Sequence, residues 1–190
     1  KEECYRLRYQ VYVEENGFED PAVHRDGMET DFFDDSSVHF LLVHNESGRP
    51  AGTVRVILPN EDHPEDSFPM QQFCEHPLLH SGDRAQTFCQ ISRLCMHKDF
   101  RRREQDGKVL PAYYEQEDKT GTVQGNMIFI RRRIPYAPLG LFQAAFDTAL
   151  KRRITDCLMF IEPEQLPHFN RMGISYSILG PKVNYHGAQQ

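Results

Sequence analysis

Residues 90–103 read QISRLCMHKDFRRR, an apolar run that ends among cations. The run predicts a buried strand over residues 87–97. Three consecutive arginines, Arg101, Arg102 and Arg103, follow shortly after its end. A strand that leads directly into such a cluster indicates an active-site strand followed by an anion-binding loop.

The length and composition are those of one soluble domain. The chain has 190 residues, of which 39% are hydrophobic and 26% charged, and no apolar run approaches the roughly 18 residues that a membrane span needs. We therefore expect a single domain over 1–190 and no membrane span. Five dispersed cysteines fit a reducing cytoplasm, and neither they nor the nine histidines show the spacing of a metal site.

The net charge of −6 is unevenly distributed along the chain. Residues 1–92 carry 18 acidic and seven basic side chains, a charge of −11, whereas residues 93–190 carry ten and 15, a charge of +5. The overall charge argues against a nucleic-acid partner. The basic half predicts a local anionic partner such as a phosphate or an acidic carrier protein, although a solvated surface of mixed charge would give the same counts.

Hydrophobic spacing and turn residues predict an α/β domain with a mixed sheet. The expected elements are a helix over 2–15, hairpin strands over 38–44 and 51–58, a strand over 87–97, a short strand over 127–130, a helix over 138–153, a strand over 157–161, a helix over 163–172 and closing strands over 174–179 and 183–185. Residues 18–37 are expected to be a loop or mobile cover, and residues 59–86 a long surface connection with a short apolar piece over 68–73. No regular element is assigned to 98–125. Strands 87–97 and 157–161 should lie parallel, joined by a right-handed crossover.

The second hairpin strand carries an arginine in an apolar setting. Because side chains alternate along a strand, Arg55 shares a face with Thr53 and Ile57. A buried guanidinium needs an anionic partner. The acidic loop over 18–37 is one source of carboxylates, although its acids would look the same if they were simply solvated.

Four motifs in a fixed order carry a family resemblance. They are Arg8-x3-Tyr12-x5-Phe18, Asp31-x2-Asp34, Gly52-Thr53-Val54-Arg55 and Gln90-Ile91-Ser92-Arg93. In this spacing the chain resembles the acyl-homoserine-lactone (autoinducer) synthases, a branch of the GNAT acyltransferase fold. The segments YRLRYQVY (5–12), SVHF (37–40), ISRL (91–94) and FRRR (100–103) look more like the PEP-CTERM/exosortase-associated acyltransferases and the related N-acyl amino acid synthases.

The resemblance implies transfer of a fatty acyl group from an acyl-carrier-protein thioester, or from acyl-CoA, to an amine. It also implies which residues form the acceptor site and its mobile cover over 1–37; they are Arg8, Tyr12, Phe18, Asp31, Asp34, Arg55 and Ser92. An amine acceptor that also carries a carboxylate or lactone would need cations at one end and carboxylates at the other, which these residue types supply.

The GNAT resemblance places catalysis on the 87–97 strand. Backbone N–H groups around Leu94 to Met96 would bind the oxyanion, and Gln90 and Arg93 would flank the reacting atoms. These two positions differ by an odd number, so a regular strand would point them to opposite faces. We therefore predict a β-bulge between them.

Gln90 departs from the family pattern, in which the matching position is usually a glutamate that accepts the amine proton through water. A glutamine cannot act as a base near neutral pH. Either Asp31, Asp34 or His39 takes the proton, or the acceptor arrives deprotonated, or the chain is weakly active. The alternative function is a non-catalytic acyl-thioester or lipid-binding module on the same fold.

The glycine-rich loop that holds a pyrophosphate in ordinary coenzyme-A-using GNAT enzymes is missing, since only Gly107 follows the arginines at 101–103. We therefore expect no cofactor held by the chain, and a pantetheine arm delivered by an acidic acyl carrier protein. The basic triplets at 101–103, 131–133 and 151–153 are its candidate docking sites, unless they are simply solvated. Cys89 and Cys95 are expected to be small core residues rather than covalent acyl carriers.

Overall fold

The computed structural model describes residues 1–81, 86–101, 109–117, 123–131, 137–171 and 173–183, with the backbone alone for 109–117 and 123–131. Within these ranges the chain forms three α-helices and six strands. They are α1 (Glu2–Tyr9), β1 (Ser37–Val43), β2 (Pro50–Ile57), β3 (Phe88–Met96), β4 (Val109–Glu117), β5 (Val123–Arg131), α2 (Ala137–Lys151), β6 (Asp156–Leu158) and α3 (Leu166–Arg171). The predicted first helix is confirmed, since α1 continues as a wider π-helical turn over Gln10–Glu15 and ends before Gly17, whose φ is +64°.

A mixed four-stranded sheet organises the fold, in the order β1, β2, β3, β6. The first three strands are antiparallel to their neighbours, and β6 runs parallel to β3. The predicted hairpin, the long strand and the parallel pairing of β3 with β6 are therefore confirmed, and so is the α/β, GNAT-like fold class. That parallel pairing covers only Phe88 to Gln90, so the described chain leaves the same edge of β3 unpaired beyond Gln90.

Two expectations about strands are wrong. Residues 98–125 contain β4, which pairs along its whole length with β5 in a separate two-stranded sheet; the prediction of a strand over 127–130 covered only part of β5. The predicted closing strand over 174–179 is absent, since none of the described strands pairs with this segment, and Ile178 is 73% exposed. Of the other closing strand, Val183 has no regular structure, and residues 184 and 185 lie outside the described ranges.

The sheet is covered on both faces. Val54, Val56 and Ile91 pack on one face against Leu141 and other side chains of α2. On the opposite face, Cys95 packs against Leu7 and Val11 of α1 and of the turn that extends it.

The connection over 59–86 contributes to the core, contrary to the expectation of a surface loop. Phe68 and Met70 are buried together with Leu79, Phe88 and the β6 residue Leu158. A short 3-10 turn over Pro69–Gln72 holds them there. Cys89 and Cys95 are buried as expected, and Cys89 lies beside Cys157 with 3.6 Å between the two sulfurs.

A β-bulge interrupts the pairing of β2 with β3 at Arg93. Thr53 and Arg55 are two positions apart in β2, but their partners Cys95 and Ser92 are three positions apart in β3. Arg93 has a φ of +53°, in the left-handed region that few residues other than glycine adopt. The predicted bulge is confirmed.

The extra residue changes which face each β3 side chain takes. Four β3 side chains pack on the α2 side of the sheet: Cys89, Ile91, Leu94 and Met96. Before the bulge the side chains on the α2 side belong to odd-numbered residues, and after it they belong to even-numbered residues. The alternation of side chains between the two faces therefore shifts by one residue at the bulge. Gln90, Ser92 and Arg93 consequently share the face that α1 covers.

The close approach of β2, β3 and α2 leaves no room for a side chain at Gly52. A Cβ there would overlap the sulfur of Met96 and would lie 3.2 Å from the Leu141 side chain. Gly52→Ala is therefore expected to lower the free energy of unfolding by about 1–3 kcal/mol, measured by urea unfolding. Gly140→Ala in α2 is the control, because its added Cβ meets nothing within 4 Å. Equal stability of the two variants would contradict the close approach at Gly52.

Candidate functional site

Six charged residues form one cluster between α1, the sheet and the loop that precedes β1. Three are arginines, one each from α1, β2 and β3: Arg8, Arg55 and Arg93. Three are carboxylates from one short segment of the loop: Glu29, Asp31 and Asp34. The formal charges cancel, which is the arrangement that a buried ionic cluster requires.

Arg8 connects α1 to two of the carboxylates. Its Nε donates to Glu29, while Nη1 and Nη2 donate to the two oxygens of Asp34 at 2.7 and 3.1 Å. The Arg8 side chain is completely buried. A bidentate pair of this kind fixes the position of both partners.

Arg55 has the anionic partners that its buried position predicted. Its Nη1 donates to Asp31 at 2.5 Å and to Asp34 at 2.7 Å, and its Nε donates to the Ser92 hydroxyl at 3.1 Å. The Ser92 oxygen is thereby held on the same face of β3 as Arg93.

Arg93 joins the cluster because of the bulge. Its Nε and Nη2 donate to Glu29 Oε1 at 3.1 and 2.9 Å, and Nη2 also donates to Asp31 at 3.1 Å. The guanidinium carbon lies 5.8 Å from the centre of the Tyr12 ring, a cation–π distance.

Local hydrogen bonds hold the acidic segment, residues 29–34, with its carboxylates directed into the protein. Asp31 caps the 3-10 turn Phe32–Asp34 by accepting from the Phe33 N–H at 2.9 Å, and the Asp31 N–H donates to Asp34 at 2.8 Å. The Glu29 N–H donates to the Tyr5 carbonyl of α1 at 3.1 Å. These acids are therefore not simply solvated, the interpretation that the sequence left open.

The arginines keep the buried carboxylates ionised. Burial by itself would raise the pKa of Glu29, but Arg93 and Arg8 lower it to about 2. Burial likewise opposes the charge on Asp34, and Arg8 and Arg55 hold the pKa of that carboxyl well below its usual range. A carboxylate with so low a pKa is a weak proton acceptor at neutral pH.

Of the predicted acceptor-site residues, Tyr12 contacts the charged cluster, whereas the side chain of Phe18 is exposed. The Tyr12 hydroxyl donates to the Leu94 carbonyl at 3.3 Å. Burial raises the pKa of Tyr12 well above its ordinary value. The backbone N–H of Phe18 donates to the Tyr12 carbonyl at 2.7 Å, whereas the Phe18 side chain is 47% exposed.

Gln90 is completely buried beside the cluster. Its Oε1 accepts from the Met70 N–H at 3.0 Å, whereas its Nε2 is buried without a hydrogen-bond partner. The side chain thus ties the 59–86 connection to β3 and presents an unused donor.

His39 of β1 pairs with Arg55 of β2, which in turn pairs with Ser92, so the three form a row across the sheet. The His39 Nε2 lies 3.3 Å from the Asp34 carbonyl, an acceptor, so we assign the proton to Nε2. Its Nδ1 is then an acceptor, and it is buried without a partner. Burial lowers the pKa of His39, which keeps the imidazole neutral at pH 7.

Only one member of the first basic triplet is described. Arg101 donates to the Met96 carbonyl at 2.9 Å and to Glu15 at 3.0 Å, and it remains partly exposed. Arg102 and Arg103 lie outside the described residues, as do 132 and 133 of the second triplet. The third triplet, 151–153, is exposed and begins at Lys151, the last residue of α2. The docking of a carrier protein therefore stays a prediction.

Neither a metal centre nor a membrane span is found in what the structure describes. No three His, Cys, Asp or Glu side chains there are grouped as metal ligands would be. No described helix is both long and apolar enough to cross a bilayer.

A family profile described as acetyltransferase (GNAT) domain matches residues 7–108, more than half of the chain. The chain belongs to this family. The matched range of this GNAT protein contains the end of α1, the three antiparallel strands, the bulge and all six residues of the charged cluster. A search of curated protein sequences gave no significant match.

Solved structures of acyl-homoserine lactone synthases share the fold. The CoA-dependent synthase BjaI, with SAM and isopentyl-CoA, superimposes with a TM-score of 0.62 at 21% identity, covering 99% of this chain and 71% of that one. The same enzyme with MTA gives 0.59 at 20% identity with the same coverage. The CoA-dependent synthase MesI gives 0.53 at 15% identity, covering 95% and 72%. At these identities the likeness establishes the fold alone.

The low pKa of Glu29 makes stability depend on pH. Its folded pKa of about 2 lies below the ordinary 4.5, so its contribution is present above pH 4.5 and is lost as the pH falls towards 2. That loss is about 3 kcal/mol. Glu29→Gln should flatten this part of the stability curve and lower stability at pH 7 by about 3–5 kcal/mol, because it leaves arginines unpaired. Urea unfolding from pH 7 to pH 3 measures both effects.

The control for Glu29 is Glu46→Gln in the exposed β1–β2 turn. That variant should follow the wild-type curve throughout. If Glu29→Gln followed it as well, the ion pairs of Glu29 would not contribute to stability.

Proposed function

We propose that the protein is an N-acyltransferase that moves a fatty acyl group from a thioester to the amine of an amino acid or a similar small acceptor. The observation that carries the proposal is the bulged strand β3. It turns Gln90, Ser92 and Arg93 to one face, and its edge opposite β2 is paired only as far as Gln90. Family membership supports acyl transfer as the reaction class.

The unpaired edge of β3 suits an acyl thioester. Alternate backbone N–H groups along a strand point to the same edge, so those beyond Gln90 on this edge are available to an extended pantetheine arm. The residues predicted to bind the oxyanion, Leu94 to Met96, lie in this part of β3. Such donors stabilise the negative charge that develops on the thioester oxygen.

The reaction replaces the carbon–sulfur bond of the thioester with a carbon–nitrogen bond. The neutral amine attacks the thioester carbonyl, the carbon–sulfur bond breaks, and the products are an amide and a free thiol. One proton leaves the amine nitrogen and one is taken up by the thiolate, so no oxidant or reductant is needed. The chain must supply a proton acceptor for the amine.

His39 fits that role better than the other candidates. The pKa of Asp34 is held low by its arginines, and both oxygens of Asp31 accept from arginines. His39 instead has a neutral ring with an unpartnered Nδ1. Since β1 and β3 are separated by β2, at about 4.8 Å per strand, the proton would reach His39 through a water molecule.

Substrates must displace the acidic segment to reach this face. Arg55 Nη2, Gln90 Nε2 and His39 Nδ1 are all closed off from solvent. Asp31 and Asp34 accept from Arg55, and the Asp34 carbonyl contacts His39, so the acidic segment covers these two side chains. This contact supports the proposed role of residues 1–37 as a cover.

The donor is proposed to be an acyl-carrier-protein thioester or acyl-CoA. The solved relatives are CoA-dependent, and one of them holds isopentyl-CoA. The exposed Arg101 at the end of β3 is the described part of the docking site proposed for an acidic carrier. Within the family, the motifs favour the PEP-CTERM/exosortase-associated acyltransferases and N-acyl amino acid synthases, in a cytoplasmic setting.

Amine-dependent release of thiol tests the proposal. With a long-chain acyl-CoA or acyl carrier protein, thiol should appear when an amino acid mixture is added, and mass spectrometry should detect the N-acyl product. Wild-type protein without amine is the control. Binding of the acyl thioester with no thiol release for any amine would favour the alternative, a non-catalytic thioester-binding module, which the glutamine at position 90 makes credible.

His39→Gln is expected to lower kcat by about 10²–10⁴-fold, because a general base is lost while hydrogen bonding is partly kept. The wild-type rate should fall in acid with a midpoint below 6.5, since burial lowers the pKa of His39, and the variant should lack this limb. His63→Gln, at an exposed histidine, is the control. An unchanged acid limb in His39→Gln would remove His39 from the mechanism.

A further inference from the structure

Cys89 and Cys157 form a pair of thiols between the parallel strands β3 and β6. The two residues are direct partners in the register of these strands. The Cys89 thiol donates a hydrogen bond to the Cys157 sulfur, with 3.6 Å between the two sulfur atoms. Of the five cysteines, all of which the structure describes, only these two are hydrogen-bonded to each other. The acyl transfer proposed above uses neither sulfur.

The backbone around this pair allows a disulfide. Direct partners on neighbouring strands have Cα atoms about 4.8 Å apart. That separation falls within the range of about 4.4–6.8 Å over which disulfides form. The sulfurs would have to approach from 3.6 Å to about 2 Å. Strand β6 can make this small movement, because it lies at the edge of the described sheet and pairs with β3 through only three residues.

The two thiols differ in their access to solvent. Cys89 is completely buried and packs on the α2 side of the sheet. Cys157, on the edge strand, is only partly buried. A small oxidant can therefore reach Cys157, while Cys89 lies directly behind it. This is the arrangement of a reacting thiol next to a resolving thiol.

The hydrogen bond between the thiols favours reaction at Cys157. Because the Cys89 thiol donates to it, a negative charge on the Cys157 sulfur is stabilised, which lowers the pKa of Cys157. The same hydrogen bond, together with burial, raises the pKa of Cys89. The thiolate is the reactive form of cysteine. Cys95, by contrast, is packed against α1, and burial raises its pKa to about 12.

We infer that Cys89 and Cys157 are a redox-sensitive pair, which a small peroxide oxidises to a disulfide joining β3 to β6 and which a cellular thiol reduces again. The inference does not depend on the proposed acyl transfer. The pairing of β3 with β6 ends at Gln90, the next residue, so the disulfide would fasten β6 where the unpaired edge of β3 begins. In the cytoplasmic setting proposed above, such a bond would be transient and would respond to oxidants.

The oxidation proceeds in two balanced steps. The Cys157 thiolate attacks one oxygen of hydrogen peroxide, the oxygen–oxygen bond breaks, and Cys157 becomes a sulfenic acid. The hydroxide that leaves takes up the proton lost by Cys157 and becomes water. The Cys89 sulfur then attacks the sulfenic sulfur, the sulfur–oxygen bond breaks, and the second hydroxide leaves as water with the Cys89 proton. Two thiols are oxidised to a disulfide, and one peroxide is reduced to two waters.

The test adds one molar equivalent of hydrogen peroxide to the reduced, folded protein. The number of free thiols, counted after denaturation, should fall from five to three, and mass spectrometry of unreduced peptides should find Cys89 joined to Cys157. The melting temperature should rise by at least about 5 °C, because the cross-link restricts the unfolded chain. The backbone amides of β6 should exchange at least about tenfold more slowly. Dithiothreitol should reverse all these changes.

Two variants remove the pair, and a third is the matched control. Cys157→Ser and Cys89→Ala should form no cross-link and should melt at the same temperature with and without peroxide. Cys74→Ser, the same change at another partly buried cysteine, should behave as the wild type does. The inference would be overturned if both thiols survived peroxide, if Cys157 ended as a sulfinic acid, or if the cross-link joined other cysteines. A cross-link that formed only in protein unfolded by urea would also overturn it.

Discussion

Pairing of three buried arginines with three carboxylates is the interaction on which the rest of the structure depends. The arginines come from a helix and two strands, and all three acids come from six consecutive residues, 29–34. An arginine left unpaired in this interior would cost several kcal/mol. Helix α1 and the sheet therefore reach a stable arrangement only when the acidic segment is in place between them.

The same pairing explains how the cluster can be sealed from solvent and still contain unused polar groups. Because the charges cancel, the cluster can be buried without a net field, yet it still contains groups that are not used. Arg55 Nη2, Gln90 Nε2 and His39 Nδ1 are two donors and one acceptor that are buried without a hydrogen-bond partner. Glu29 and Asp34, by contrast, have neighbouring arginines that hold the pKa of each carboxyl below its usual range.

Features that local patterns determine could be predicted from the sequence. The helices, the hairpin and the long strand follow from spacing and turn residues, and the need of Arg55 for an anion follows from its position in a buried strand. The burial of Glu29 and Asp34 could not be predicted in this way, because their partners lie 21 to 64 residues away and the segment has no periodicity. Strand β4 was missed and a strand over 174–179 was wrongly expected for a related reason, since a strand exists only where another strand pairs with it.

The bulge at Arg93 has a consequence for how β3 tolerates change. Side chains alternate between the two faces of the sheet on each side of the bulge, but the bulge shifts the alternation by one residue. Deletion of Arg93 would therefore do more than remove an arginine. It would restore a regular alternation, turn Leu94 and Met96 towards the buried charges, and turn Cys95 towards α2. A substitution in β3 alters one side chain, but a one-residue change in length would move the side chains of Leu94, Cys95 and Met96 to the opposite face of the sheet.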